Sequence, residues 1–278
     1  MNVAKRWPLV TLFLAAYASS FWITPLHVEG FPVFPYGPDA ALILVSAAVA
    51  GRRGVRQIFS TLRCWRARPR WYALAVLLPV GIALAAVVLT VVLGGDTSAL
   101  PGVPSLLEFL VILPLMIVIG GALGEEPAWR GFALPVLQQR HRPVVAVAVL
   151  TLGHAVWHLP LLVAPDAPAP IPWLLELAGG AIVLAWLMNV TGQIWVPVVL
   201  HGAHNMSQQA FMSGFDGSDL VTVQWLTAVG WVCLASVIVW TTRGRLAPAG
   251  RAPLTVPISE PLGGDPARHA VPTLARHP

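Results

Sequence analysis

Charge is what this sequence has least of. Asp, Glu, Lys and Arg together make up 10% of its 278 residues, against about 25% in an ordinary soluble domain. No polar stretch between the apolar runs is long enough to build a separate soluble domain, which excludes that class. Cysteine is nearly absent as well. Cys64 and Cys233 fall in a basic loop and in a late apolar run, so a disulfide framework is excluded. The N-terminus lacks the short core of a cleavable signal peptide. Its basic start, Lys5 and Arg6, leads into a longer apolar stretch that reads as a first span. No internal repeat is visible.

What is present is apolar. Hydrophobic residues account for 56% of the chain, arranged in runs near the ~20-residue length a bilayer requires. These runs cover roughly 8–26, 35–50, 71–94, 105–123, 143–163, 173–190, 195–212 and 222–242. The sequence therefore predicts an all-α fold, a polytopic membrane bundle of about eight helices. Residues 1–246 form one membrane-embedded domain, and 247–278, rich in Pro and Gly, read as a disordered tail. The net charge of +5 is distributed by topology. Basic residues collect at 5–6, 52–70, 130–142 and from 243 onward, while the intervening loops carry Glu29, Asp96, Asp166, Asp216 and Asp219 and no Lys or Arg. That alternation is the positive-inside pattern and places both termini in the cytoplasm. No basic groove or motif accompanies the charge, so nucleic-acid binding is excluded.

Two runs are irregular. Gly179-Gly180 predicts a tilt or kink in the sixth. The fourth does not stop at Gly124, because GEEPAWRGFALPVLQQR keeps an apolar face as far as Arg140. Gly120, Gly121 and Gly124 read as a break, with a second helix starting near Pro127, since proline is favoured at the first helical position. Glu125 and Glu126 then sit at a helix N-terminus, where the dipole favours negative charge.

Ionisable groups at membrane depth are costly and mark candidate functional sites. Here they are Glu108, Glu125, Glu126, Arg130, His154, His158, Glu176, His201 and His204, with the amide Asn205. Glu126 and Arg130, four apart, share a helix face and can form a buried ion pair. Glu125 has no basic partner at helical spacing, and an unpaired carboxylate in a low dielectric suits general-base work. His154 and His158 lie one turn apart. They lack the Glu that a zinc-protease HExxH motif needs, Ala155 standing in its place. His201 and Asn205 share a face of the seventh run, with His204 offset. If a hairpin turns at Arg140–Arg142, Glu125 and His158 fall at one level, roughly 24 Å from the turn, while His201 lies only ~10 Å into its run.

Three motifs, in order and on separate runs, resemble the CAAX-protease and bacteriocin-processing family of intramembrane proteases. They are EExxxR at Glu125–Arg130, an aromatic-xxx-His motif at His154–His158, and HxxxN at His201–Asn205, a core spanning 124–205. The family usually has Phe where this chain has His154. The resemblance implies an intramembrane endopeptidase that cuts a peptide bond near the cytoplasmic face of a bacterial plasma membrane. It makes Glu125, working with His158, the base that activates water. It makes His201 and Asn205 the oxyanion donors, with Glu126 and Arg130 in support. No cofactor is favoured, but Glu125, His158 and His201 could instead hold Zn²⁺. The partners implied are the bilayer and a peptide or membrane-protein substrate. A transporter or proton relay using the same residues, or a non-catalytic immunity or scaffold relative, stands as the alternative.

Overall fold

A computed structural model describes residues 3–26, 33–96, 106–164, 167–212, 214–250 and 252–254. Helices account for the regular structure among these residues, as the apolar runs require. A short turn α1 (Val3–Arg6) precedes α2 (Pro8–Ser20), which continues as a 3₁₀ segment Phe21–Leu26. Then come α3 (Gly37–Arg63), α4 (Pro69–Val92) and α5 (Leu106–Val118). The chain then breaks and resumes as α6 (Ala122–Glu126), a π-helical segment Pro127–Ala133 and α7 (Leu134–Gln138). The remainder is α8 (Pro143–Trp157), a 3₁₀ segment Leu159–Val163, α9 (Pro170–Thr191), α10 (Trp195–Met212) and α11 (Gly217–Thr241).

Five segments are long and apolar enough to cross a bilayer: Pro8–Leu26, Pro69–Val92, Leu107–Gln138, Pro170–Thr191 and Gly217–Thr241. Their outward faces carry large apolar side chains such as Leu77, Val88, Leu110, Leu115 and Val237, all more than 50% exposed except Leu115 at 45%. Such a surface is suited to lipid rather than water. The protein is an integral membrane protein built as a helical bundle. Three of the eight expected runs fall short of a plain span, for identifiable reasons. Helix α3 carries the second run into a basic stretch and bends at Gly51 (φ 60°, ψ −147°). Helix α8 stops after 15 residues. Helix α10 is diluted by His201, His204, Asn205 and two glutamines, yet ten of its 18 residues are buried. Helices that face a polar site inside the bundle need not be uniformly apolar, because longer neighbours shield them from lipid.

Helix α2 packs along α3, α9 along α11, and α10 against α4 and α5. The largest core cluster joins Leu12 and Ala16 of α2 with Trp129, Phe132 and Leu134 of the broken segment. It extends to Leu150 and Trp157 of α8 and Leu187 of α9. Tyr17 donates to the Gly153 carbonyl at 2.9 Å, and Trp157 Nε1 donates to Ser20 Oγ at 2.8 Å, fixing α8 against α2. Packing continues past α11. Leu246 and Ala247 are buried, and Leu254 N–H reaches Asn189 Oδ1 at 3.2 Å. The rest of the expected tail, residue 251 and 255–278, lies outside the described residues, as do most of the expected outer loops 27–34 and 95–104.

The sequence places the break correctly but not the restart. Gly121 adopts φ 93° and caps α6, which begins at Ala122, five residues before Pro127. Pro127 opens the π-helical segment instead, and Pro135 follows within α7. Each proline lacks an N–H and crowds the carbonyl four residues back. A wider turn between them relieves that conflict, and such π-bulges recur at functional sites. The expected kink at Gly179-Gly180 is absent, and α9 is continuous. Gly179 is there for close packing, since a Cβ on it would lie 2.8 Å from the Trp231 backbone, while Gly180 faces open space.

Gly124 is tied to the break by proximity: a Cβ there would meet the Pro35 carbonyl oxygen at 2.6 Å and Tyr36 at 3.0 Å. Gly124→Ala is expected to cost about 1–3 kcal/mol through overpacking. The check is the unfolding midpoint of the detergent-purified protein. An unchanged midpoint would mean that the 35–36 segment moves freely.

Candidate active site

Successive helical residues point about 100° apart, so the two buried carboxylates of α6 face different neighbours. Glu126, wholly buried, turns toward α10. Its Oε1 accepts from Arg130 Nη1 at 2.9 Å and from His201 Nδ1 at 2.8 Å. The pairing of Glu126 with Arg130 expected from spacing is present, and His201 joins it. A carboxylate oxygen only accepts, so His201 Nδ1 carries the proton, and only the imidazolium would also donate from Nε2.

Glu125 faces α8, and here the sequence expectation fails. Glu125 is not an unpaired carboxylate: its Oε2 lies 2.9 Å from His154 Nε2, and both residues are 3% exposed. The partner comes from another helix, where spacing within α6 cannot reveal it. His154, one turn before His158, makes the contact, and a ring nitrogen of His158 also lies within 4.8 Å of a Glu125 oxygen. Counting 1.5 Å per residue assumed α geometry in both arms of the hairpin. The seven π-helical residues widen the first arm rather than lengthen it. That shortening also brings Glu126 down to His201.

His158 ends α8, its N–H shared between the His154 and Ala155 carbonyls. Its ring centre lies 4.8 Å from that of His154, 4.6 Å from Trp157 and 5.5 Å from Trp173. Trp129, fully buried, stacks on Phe13 at 5.4 Å and backs His154 at 5.5 Å. Aromatic walls thus keep both imidazoles in an apolar setting, and the Nδ1 atoms of both are buried without a hydrogen-bond partner. Asn205 Nδ2 donates to the Gly120 carbonyl at 2.8 Å. That bond satisfies an oxygen at the helix break, which water cannot reach in a bilayer. The amide has a second N–H to offer.

Glu125, His158, His201 and Asn205 line one cavity of about 360 Å³, together with Arg130 and His154. The other intramembrane groups are distributed differently. Glu176 and His204 line the same cavity from α9 and α10, whereas Glu108 is exposed in the first turn of α5. For a metal, the closest donor set among the described residues is Glu125, His154 and His158, whose ligand atoms lie within 4.8 Å of one another. His201, expected in that set, is not part of it, and its Nδ1 is engaged by Glu126. Asp39 escaped the sequence reading altogether. It sits in the first turn of α3, interacts with Glu125 and Glu126 through their charges, and accepts from the Ala128 N–H. An acid inside an apolar run, beside Pro38 at a helix start, was the usable signal.

Arg130→Met would leave Glu126 buried without its guanidinium. Breaking one side of such a pair costs about 3–5 kcal/mol, and Glu126→Gln combined with Arg130→Met is expected to recover part of that loss. Unfolding midpoints of the single and double variants check this, with strict additivity as the contrary result.

Comparison with known proteins came out on one side only. None of the curated proteins compared with this chain matches it. Residues 107–207 match a family model described as Type II CAAX prenyl endopeptidase Rce1-like, a stretch that contains the break, Glu125 through Arg130, both α8 histidines, His201 and Asn205. That match falls on the stretch whose three motifs resemble the CAAX-protease and bacteriocin-processing family.

Proposed function

We propose that the protein is an intramembrane endopeptidase of the glutamate-dependent kind, acting near the cytoplasmic face of a bacterial plasma membrane with both termini inside. The observation that supports it most is that Glu125, His158, His201 and Asn205 line one cavity. In this reading Glu125, oriented by His154, takes a proton from a water that His158 also holds, and the hydroxide adds to the scissile carbonyl. The new oxyanion accepts from the free N–H of Asn205 and from Nε2–H of His201 as the imidazolium, whose Nδ1–H stays donated to Glu126. Collapse breaks the C–N bond, and Glu125 returns the proton to the departing amine. The substrate is a peptide or the tail of a membrane protein. Glu126 and Arg130 do no chemistry: they fix His201 and keep Glu125 turned toward α8.

A second reading places a cation at Glu125, His154 and His158, favoured by the mutual approach of their ligand atoms. Zinc in a three-ligand site keeps a position for water and would lower its proton affinity. Against it, the Arg130 guanidinium lines the same cavity and repels a second positive charge.

Glu125→Gln is expected to lower peptide cleavage by at least about 100-fold while leaving the unfolding midpoint near wild type. Wild-type turnover by that variant would end the proteolytic reading. Exhaustive chelation separates the two mechanisms. Activity that survives it in protein free of bound metal supports the glutamate version, whereas loss reversed by Zn²⁺ supports the other. Gly180→Leu tests the cavity itself. A Cβ at Gly180 meets no atom within 4 Å, and Gly180 lines the cavity, so the longer side chain is expected to take up cavity space. Its expected signature is a raised KM for peptide in a normally folded protein.

A further inference from the structure

The catalytic proposal uses one end of the cavity. The other end carries a second polar group that it leaves unexplained: Glu176 of α9, with His204 and Gln208 of α10. Glu176 is only 7% exposed. Its Oε1 accepts from Gln208 Nε2 at 2.8 Å and lies 3.7 Å from His204 Nε2. A structural carboxylate at this depth is expected to face Lys or Arg, as Glu126 faces Arg130. The one guanidinium among the residues lining the cavity is that of Arg130, which Glu126 already holds. Glu176 therefore has a neutral amide and a distant imidazole where an ion pair is expected.

The surplus here is of acceptors. With Nε2 given to Glu176, Gln208 keeps its Oε1 buried and without a hydrogen-bond partner. The carboxylate of Glu176 offers further lone pairs beside it. Both are hydrogen-bond acceptors, so the group that completes them is a donor with several N–H bonds. The apolar walls agree. Trp173 and Trp231 line the cavity, and aromatic faces attract cations more strongly when water is excluded. His204 already stands edge-on to Trp231, with ring centres 5.5 Å apart. A buried carboxylate, an unsatisfied amide oxygen and two indoles are complementary to an alkylguanidinium or alkylammonium group.

We propose that Glu176 and Gln208, walled by Trp173 and Trp231, form a specificity subsite that takes an arginine or lysine side chain of the peptide substrate. This rests on the proteolytic reading of the adjoining end of the cavity. The incoming cation supplies the charge that Glu176 lacks and the donors that Glu176 and Gln208 await. The subsite discriminates because a substrate without those donors leaves two buried acceptors unsatisfied, a larger penalty than the loss of apolar contact. Glu176 lies three residues before Gly179, which seats α9 against the Trp231 backbone. The same helix contact thus holds the carboxylate and one aromatic wall in register.

The test uses the detergent-purified full chain and pairs of peptides identical except for arginine or citrulline at one position flanking the scissile bond. Non-cleavable versions, with a reduced peptide bond, are titrated into wild type, Glu176→Gln and Gln208→Leu. Wild type is expected to bind the best arginine peptide at least tenfold more tightly than its citrulline partner. That ratio is expected to fall to near one in Glu176→Gln, which keeps side-chain size, and to an intermediate value in Gln208→Leu. Equal binding of arginine and citrulline peptides by wild type at every position overturns the proposal, as does a preference that both variants retain. Cleavage of the natural-bond peptides is followed in parallel. Cleavage without any charge preference removes the subsite and leaves the protease. A Glu176-dependent binding preference with no cleavage of any peptide removes the protease and leaves a cation-recognising cavity.

Discussion

A charge buried within a membrane bundle must be answered by another charge, and the geometry of this protein follows from how Glu126 is answered. One oxygen of Glu126 accepts from Arg130 on its own segment and from His201 on α10. The interaction therefore closes a helix turn and crosses between helices at once. With Glu126 held toward α10, the next-door Glu125 has to point elsewhere, and the helical angle between neighbours directs it at α8. There His154 receives it. Two adjacent carboxylates thus acquire separate environments from a single constraint, one ion-paired and one against an imidazole in an aromatic enclosure. Separate environments for like groups are how active sites divide labour between chemically identical residues.

The backbone at this point is irregular, and each irregularity has a counterpart. Gly121 turns left-handed, which ends α5 and lets α6 start at a new angle. Asn205 covers the Gly120 carbonyl. The prolines at 127 and 135 bracket a wide turn that presents Arg130 on the same face as Glu126. In water such defects would be solvated. In lipid they must be satisfied by protein or by a polar cavity, and here the broken segment lies between α3, α8, α9 and α10 while α2, α4 and α11 complete the bundle.

Much of this was legible in the chain. The glycines marked the break, the i,i+4 spacing of Glu126 and Arg130 marked the ion pair, and the outlying polar residues of three apolar runs named the walls of the cavity. Interactions within one helix follow from its period, so they can be read locally. What could not be read lay between helices or in their exact pitch. Glu125 looked unpaired because its partner is on α8. The level of Glu125 against α8 was counted at α-helical rise, and a π turn leaves no periodic trace in seven residues. The glycines at 179 and 180 suggested weakness in α9, yet their use is steric, one against a neighbouring backbone and the other beside empty space. Asp39 went unremarked, since nothing in its own run pointed to α6.

One contact far from the chemistry has a bearing on how the molecule is made. Gln138, where α7 ends, and Asn189, near the end of α9, bond to each other through both amides, and Leu254 bonds to each of them through its backbone. Leu254 also packs against the cluster of Ala122, Met188, Ile194 and Val198. It is synthesised after every transmembrane helix, and chains emerge N-terminus first. The clasp that joins the ends of α7 and α9 is thus the last of these contacts to be synthesised, and it lies outside the membrane-crossing helices.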